Sequence, residues 1–192
     1  QSVVCFFLPF APEIAIANAQ EKEQVAREWA VAYQDTNTLI GQINARLIVV
    51  LSQYGVGAAA QPATGNFKES ELRSHWSHKS MAVMAGMGSF GLHQLVITDA
   101  GCAGRFGSFV IDAKLPIEQQ EPKERCEYFE FGTCTDCVDA CPVNAISEDK
   151  PLDRHTCWMQ CRKNGFDFLD IGEIKVCGKC AVLGPCTLQA AA

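Results

Sequence analysis

Three observations predict a mixed fold of helices and strands in two parts, a small α/β domain followed by a compact cysteine-rich domain. Val3–Leu8 is a continuous apolar run, and apolar residues recur at helical spacing from Glu21 to Tyr54. The third is Cys134-Thr-Asp-Cys137-Val-Asp-Ala-Cys141-Pro142, the C-x2-C-x3-C-P core of a bacterial-type iron–sulfur run. A cubane of iron and sulfide needs four thiolates converging from several directions. One short loop can supply most of them, and the cysteine before the proline serves a second cluster. Cys157, Cys177, Cys180 and Cys186 follow as ligands for a pair of clusters, so a ferredoxin-like double [4Fe–4S] domain is expected.

Composition narrows the class. With 192 residues, 48% apolar and 20% charged, the chain can bury one sizeable core or two small ones. A net charge of −6 argues against a general nucleic-acid or anionic-membrane surface. Eleven cysteines, an odd number with eight of them after residue 128, do not resemble a secreted disulfide framework. Zinc would suit Cys177-x2-Cys180 alone but leaves C-x2-C-x3-C-P unexplained. Iron–sulfur chemistry is therefore preferred, and with it a reducing, cytoplasmic setting.

The first residue is Gln1, read as a sign of processing or of a fragment. Val3–Phe10 followed by Ala17-Asn18-Ala19 superficially looks like a signal peptide. It lacks a basic start, and Pro9, Pro12 and Glu13 interrupt it, so a buried strand leading into a loop is the expectation. No segment reaches the roughly 20 apolar residues of a membrane span, and no membrane partner is expected.

In order, Val3–Leu8 reads as a strand covered on both faces, with Cys5 a small core residue. Val25, Trp29, Tyr33, Ile40, Ile43, Leu47, Val50 and Tyr54 make one helical stripe that Gly55 ends. Asn37 and Gly41 mark a break or kink, and Asn37 and Asn44 read as polar-face residues that could line a groove. Residues 56–70 read as a loop with a short strand at Gly57–Ala60. Ser74, His75, His78 and Lys79 are candidate proton donors on a polar stretch that flows into Ala85-Gly86-Met87-Gly88-Ser89-Phe90-Gly91. Gly86, Gly88 and Gly91 let backbone approach a cofactor or turn tightly. As a dinucleotide fingerprint they are misplaced, since they end a helix and do not open one.

Leu95–Thr98 and Ser108–Ile111 read as an antiparallel pair with a glycine-rich connection. Within it Cys102 is an isolated thiol, and Arg105 has room to meet an anionic group. Leu115–Arg125 is polar, giving domains at 1–115 and 126–192 with a linker at 116–125. Position 131 holds Phe131 where a bacterial run would place a cysteine, so Cys126 loops back. The expected first cluster is Cys126, Cys134, Cys137 and Cys186, and the second Cys141, Cys157, Cys177 and Cys180. Cys161, one helical turn from Cys157, competes with it. Pro142–Ile146 is expected to start a short helix.

Several of these stretches together resemble epoxyqueuosine reductase and its relatives, which include the reductive dehalogenases. They are Leu8-Pro9, Ala85–Gly91, Leu95–Thr98, Gly132–Pro142 and Leu152-Asp153-Arg154-His155-Thr156-Cys157. The last matches the family's Leu-Asp-x-x-x-Cys and favours Cys157 over Cys161. The resemblance implies a cobalamin-binding domain ahead of two [4Fe–4S] clusters that feed it single electrons, with residues 74–93 and 101–107 bordering the cofactor. Gly86, Gly88, Gly91 and Arg105 are the cofactor-binding candidates. Residues 71–76 hold no Asp where the family has a catalytic one, only Glu71 nearby, and the chain ends six residues after Cys186, without the family's tRNA-gripping repeats. The expected partners are thus an electron-donor protein and an unknown small-molecule substrate, and tRNA is not expected. The alternative is a ferredoxin-like carrier without substrate chemistry.

Overall fold

The computed structural model describes residues 1–64, 67–116 and 123–189. β1 (Ser2–Pro9) runs antiparallel to β7 (Gly104–Ile111), which pairs on its other edge with β2 (Ala58–Ala60), so β7 is central. Phe6 lies opposite Gly107 and Pro9 opposite Gly104. A side chain at Gly107 would collide with the Phe6 ring, so the glycine lets an aromatic ring lie across its neighbouring strand. β1 is an edge strand with Val3 41% exposed, and from Val4 to Leu8 it is half-buried on both faces.

The residues after β1 form α1 (Pro12–Gln20), where a loop was expected. Pro12 interrupts the apolar run but sits at the first helical position, where its missing N–H costs nothing and its fixed φ favours a helix. α2 (Arg27–Gln53) runs unbroken through Asn37 and Gly41, and Gly55 with φ +72° follows its end. A side chain at Gly41 would meet nothing within 4 Å, so this glycine is a surface residue and no break point. No described helix is long and apolar enough to cross a membrane.

β3 (Phe67–Lys68) and β4 (Arg73–Ser74) form a small ribbon, followed by α3 (His78–Met84), which Ser77 caps. β5 (Gly88–Phe90) and β6 (Val96–Thr98) pair with each other. The expected pairing of 95–98 with 108–111 does not occur. The chain turns at the Thr98–Gly101 bridge, and Cys102 and Ala103 then donate backbone N–H groups to Cys186 O and Thr187 O. The connection is therefore bonded to the C-terminal loop, and β7 is free to join β1.

α4 (Glu127–Phe131), α5 (Asp136–Asp139) and α6 (Arg154–Gly165) complete the helices. Pro142–Ile146 forms a turn with Asn144 at φ +50°, not the expected helix. The polar linker expected at 116–125 falls partly on 117–122, outside the described residues. One core joins Phe10, Trp29 and Ala30 from the first part to Cys126, Ile146, Phe168 and Val176 from the second.

A polar staple reinforces that junction. Lys179, 7% exposed, donates to Asn18 O at 2.7 Å and Glu21 O at 2.6 Å, while Asn18 Nδ2 donates to Cys177 O at 3.1 Å. Lys179→Met keeps the bulk but strands buried acceptors, so it is expected to cost about 2 kcal/mol. Urea unfolding would read this as a lower midpoint with an unchanged slope.

Candidate metal centre

Cys126, Cys134, Cys137 and Cys186 line one small cavity with Leu92, His93 and Arg125. Cys126 stands at the start of α4, which Gly132 (φ +70°) closes so that the chain returns through Cys134 to Cys137 in α5. Gly184-Pro185-Cys186 reaches the same place from the C-terminal loop, which the 101–103 backbone holds. Cys126 and Cys137 are only 9% and 8% exposed. Burial pushes the Cys137 thiol up to about 12 and raises Cys134 as well. A soft cation that displaces these protons removes that penalty, which is how thiolate sites couple binding to proton release.

A larger cavity of about 270 Å³ is lined by Cys141, Cys157, Cys161, Cys177 and Cys180. Cys141 Sγ accepts from Ala145 N at 3.2 Å, a bond the Pro142–Ala145 turn provides. Cys157 and Cys161 both face it from α6, whose first turn Asp153 caps through Thr156 N. The Cys161 thiol donates to Cys157 and, with the nearby Lys79 charge, holds Cys157 down to about 7. All five thiols stand at one wall system, so the choice between Cys157 and Cys161 rests on the family motif.

Two residues without any ligand spacing join the first group. Leu95 N donates to His93 Nδ1 at 3.0 Å, which leaves the ring proton on Nε2 to face Cys186 Sγ at 3.5 Å. The Cys102 thiol lies 4.0 Å from Cys186 Sγ, and the ligand atoms of His93, Cys102 and Cys186 all fall within 4.8 Å of one another. The hydrogen bond from Cys102, aided by His93, lowers the Cys186 thiol to about 5. His93 lines both cavities and so stands between the two groups. No sequence signal marks it. Cys102 is brought in by the backbone bonds to residues 186 and 187, a long-range pairing that spacing does not encode.

The remaining candidates are dispersed. His78 is 8% exposed with Nδ1 2.6 Å from Ser108 Oγ and Nε2 2.9 Å from Pro62 O, so both ring nitrogens are occupied. Ser74 Oγ accepts from Trp76 N at 3.0 Å, and His75 is exposed. Lys79 reaches the larger cysteine-lined cavity and donates to Gln94 O at 2.7 Å. Arg105 reaches that cavity too. Gly86 turns the chain after α3 at φ +75°, while a side chain at Gly88 would strike Ile97 O and one at Gly91 the His93 ring. Gly88 and Gly91 thus allow close packing within the chain itself.

Thiolate sulfur in two separate groups of four or more is a donor set suited to iron–sulfur clusters and too rich for one zinc ion. No protein-family model matches the chain. It is 35% identical over 80 residues to the epoxyqueuosine reductase of Cyclobacterium marinum, a match covering 41% of this chain and 24% of that one. The Aliivibrio fischeri enzyme of the same name is 34% identical over 80 residues, covering 41% and 20%. Among solved structures, epoxyqueuosine reductase from Streptococcus thermophilus aligns with TM-score 0.56 at 15% identity over 99% of this chain and 50% of that one. An epoxyqueuosine reductase bound to an epoxyqueuosine-modified tRNA stem loop aligns with TM-score 0.52 at 19% identity, over 79% and 38%.

The fold is a mixture of helix and sheet that matches solved epoxyqueuosine reductases. The chain is similar in sequence to epoxyqueuosine reductases over about 80 residues and similar in fold to their solved structures. It spans a quarter or less of the two relatives' lengths in the matched segments. The expectation that excluded tRNA is corrected here. It rested on the missing Asp at 71–76 and on where the chain ends, whereas a protein sharing this fold has been solved with a tRNA stem loop.

Proposed function

We propose that this chain is an iron–sulfur oxidoreductase that passes single electrons through two [4Fe–4S] clusters to a cobalamin, with epoxyqueuosine in tRNA as substrate. The carrying observation is the separation of ten cysteines into two cavities, four in the smaller and six, Cys102 included, in the larger. Cys126, Cys134, Cys137 and Cys186 would hold the first cluster, and Cys141, Cys157, Cys177 and Cys180 the second. Segment 126–192 acts as the cluster domain and 1–115 supplies the cofactor side. Cys137 and Cys141 are one helical turn apart in sequence, and His93 borders both cavities, so the path between clusters is short.

Lys79 carries no carboxylate partner among the described residues and offsets the negative charge of the second thiolate group. Phe10, Trp29 and Tyr33 keep water from the larger cavity's other wall. Cobalamin, when bound, supplies a low-potential metal able to reduce the substrate, and Tyr33, Lys79 and Arg105 are the residues that would border it.

The test is anaerobic reconstitution with iron and sulfide, followed by cobalamin titration under electron paramagnetic resonance and a gel-shift assay with a modified tRNA stem loop. Two cubanes' worth of iron and sulfide, a base-off cobalamin signal and a shifted stem loop are expected. Clusters without a change in cobalamin or RNA would make the chain a ferredoxin-like carrier. Zinc without labile sulfide would end the redox reading.

A further inference from the structure

We infer that Arg125 and His93 donate hydrogen bonds to the sulfur of the first cluster and so raise its reduction potential. This role deepens the proposed function and depends on its assignment of Cys126, Cys134, Cys137 and Cys186 as ligands. Arg125 and His93 line the cavity of those four cysteines without belonging to the ligand set. Among its lining residues they carry the side-chain N–H donors.

Arg125 is fixed at the mouth of α4 by its own backbone. Its N–H donates to Ser89 Oγ at 2.9 Å and to Glu124 Oε1 at 2.8 Å. The same carboxylate oxygen accepts from Cys126 N and from Ser89 Oγ, both at 2.8 Å. Arg125 and the first ligand are thus tied together to β5. The Arg125 side chain is only 9% exposed, and its outer Nη1 meets the carboxylate of Asp99, whose side chain is 89% exposed. Nε lies nearer the backbone, buried and with no acceptor among the described residues. The half-buried carboxylate of Glu127 lines the same cavity and does not take that proton. Arginine can only donate, and a buried donor left unmade is costly. Sulfur in the cavity is the acceptor that recovers the cost.

His93 arrives from a different segment, the turn after β5. Leu95 N donates to its Nδ1, which leaves Nε2–H toward Cys186 Sγ at 3.5 Å. Charge makes these donors matter. Burial raises the Cys134 thiol, and the carboxylates of Asp136 and Glu127 raise it further. Four thiolates beside those carboxylates make a strongly negative site, and reduction adds one more electron to it. Arg125 is the buried cation at the same cavity. Hydrogen bonds to sulfur and a nearby cation stabilise the reduced state more than the oxidised one, so the potential rises.

The experiment is a dye-mediated redox titration of the reconstituted full chain, read by electron paramagnetic resonance. The first cluster's signal is the one missing from Cys137→Ser protein. Arg125→Met, which keeps apolar bulk but removes the charge and the donor, is expected to make reduction of the first cluster about tenfold less favourable. That is a midpoint lower by about 59 mV for one electron, with the second cluster unmoved. Arg125→Lys recovers only part, because an ammonium keeps the charge and lacks the Nε donor. His93→Phe lowers the same midpoint by a smaller amount.

Asp99→Asn is the decisive variant. It breaks the same ion pair from its exposed end, leaves the buried groups in place and frees the guanidinium charge. The first cluster's midpoint is therefore expected to rise. A purely structural ion pair would move both variants in one direction. Asp99→Asn decides the matter even where Arg125→Met loses iron: a midpoint unchanged or lowered overturns the tuning role. Both cubanes present with a first midpoint unmoved in Arg125→Met overturns it too and leaves the proposed function standing. Wild-type protein without labile sulfide overturns the proposed function and the tuning role together.

Discussion

Cys137→Ser protein, reconstituted anaerobically, is expected to hold about half the iron and sulfide of the wild-type chain, because each of the two proposed cubanes needs its own four thiolates. Cys137 is 8% exposed and shares its cavity with Cys126, Cys134 and Cys186, so no solvent ligand can reach in to replace it. Serine offers a hard hydroxyl with a far higher pKa, and a soft iron site gains little from it. The second group lies in its own cavity and keeps its cluster. One of two reduced-cubane signals should therefore vanish. Cys5→Ser is the control. Cys5 sits on β1 away from both groups, and burial pushes its thiol up to about 11, so it stays protonated and the full iron content remains. Equal iron in Cys137→Ser and wild type would remove Cys137 from the ligand set and with it the first cavity as a cluster site.

What could be read from the sequence divides by range. Periodicity located α2, because burial of one stripe is a local property that repeats every turn, and Ile40 is indeed fully buried on that stripe. It also located β1 and β7 but not their pairing, which depends on contacts about a hundred residues apart in sequence. α1 escaped because proline was read as a breaker, while its effect depends on whether it opens a helix or interrupts one. At the candidate centre, the short spacings at 134–141 and 177–180 could be read, since they are ligand geometry written along the chain. His93 could not. Its place beside Cys186 follows from a turn after β5 and a loop ninety-three residues later, and a lone histidine carries no such information. Asn37 stood out as a groove candidate, but its orphan amide appears only when β7 brings Arg105 against it.

Trp29→Ala is expected to cost about 3–5 kcal/mol, a large share of the roughly 5–15 kcal/mol that holds such a chain folded. Trp29 is 5% exposed and meets the Phe10 ring edge-on at 4.9 Å. Its indole also fills the space where a side chain at Gly178 would stand, so the loop between Cys177 and Cys180 rests directly on it. Gly178 has φ +76°, a conformation in which side chains are strained. The substitution thus removes both a core aromatic and the floor beneath two proposed ligands of the second cluster. Thermal unfolding should move sharply downward, and iron should leave the second group before the first when a chelator is added. Trp29→Phe, which keeps a ring against Phe10, should recover most of the stability but less of the iron retention. Gly178→Ala tests the same contact from the other side. Its Cβ collides with the indole in wild type but not in Trp29→Ala, so the two substitutions should cost less together than their separate effects combined. Strict additivity, or chelator release that is equal from both groups, would mean that Trp29 stabilises the core without supporting the cysteine loop.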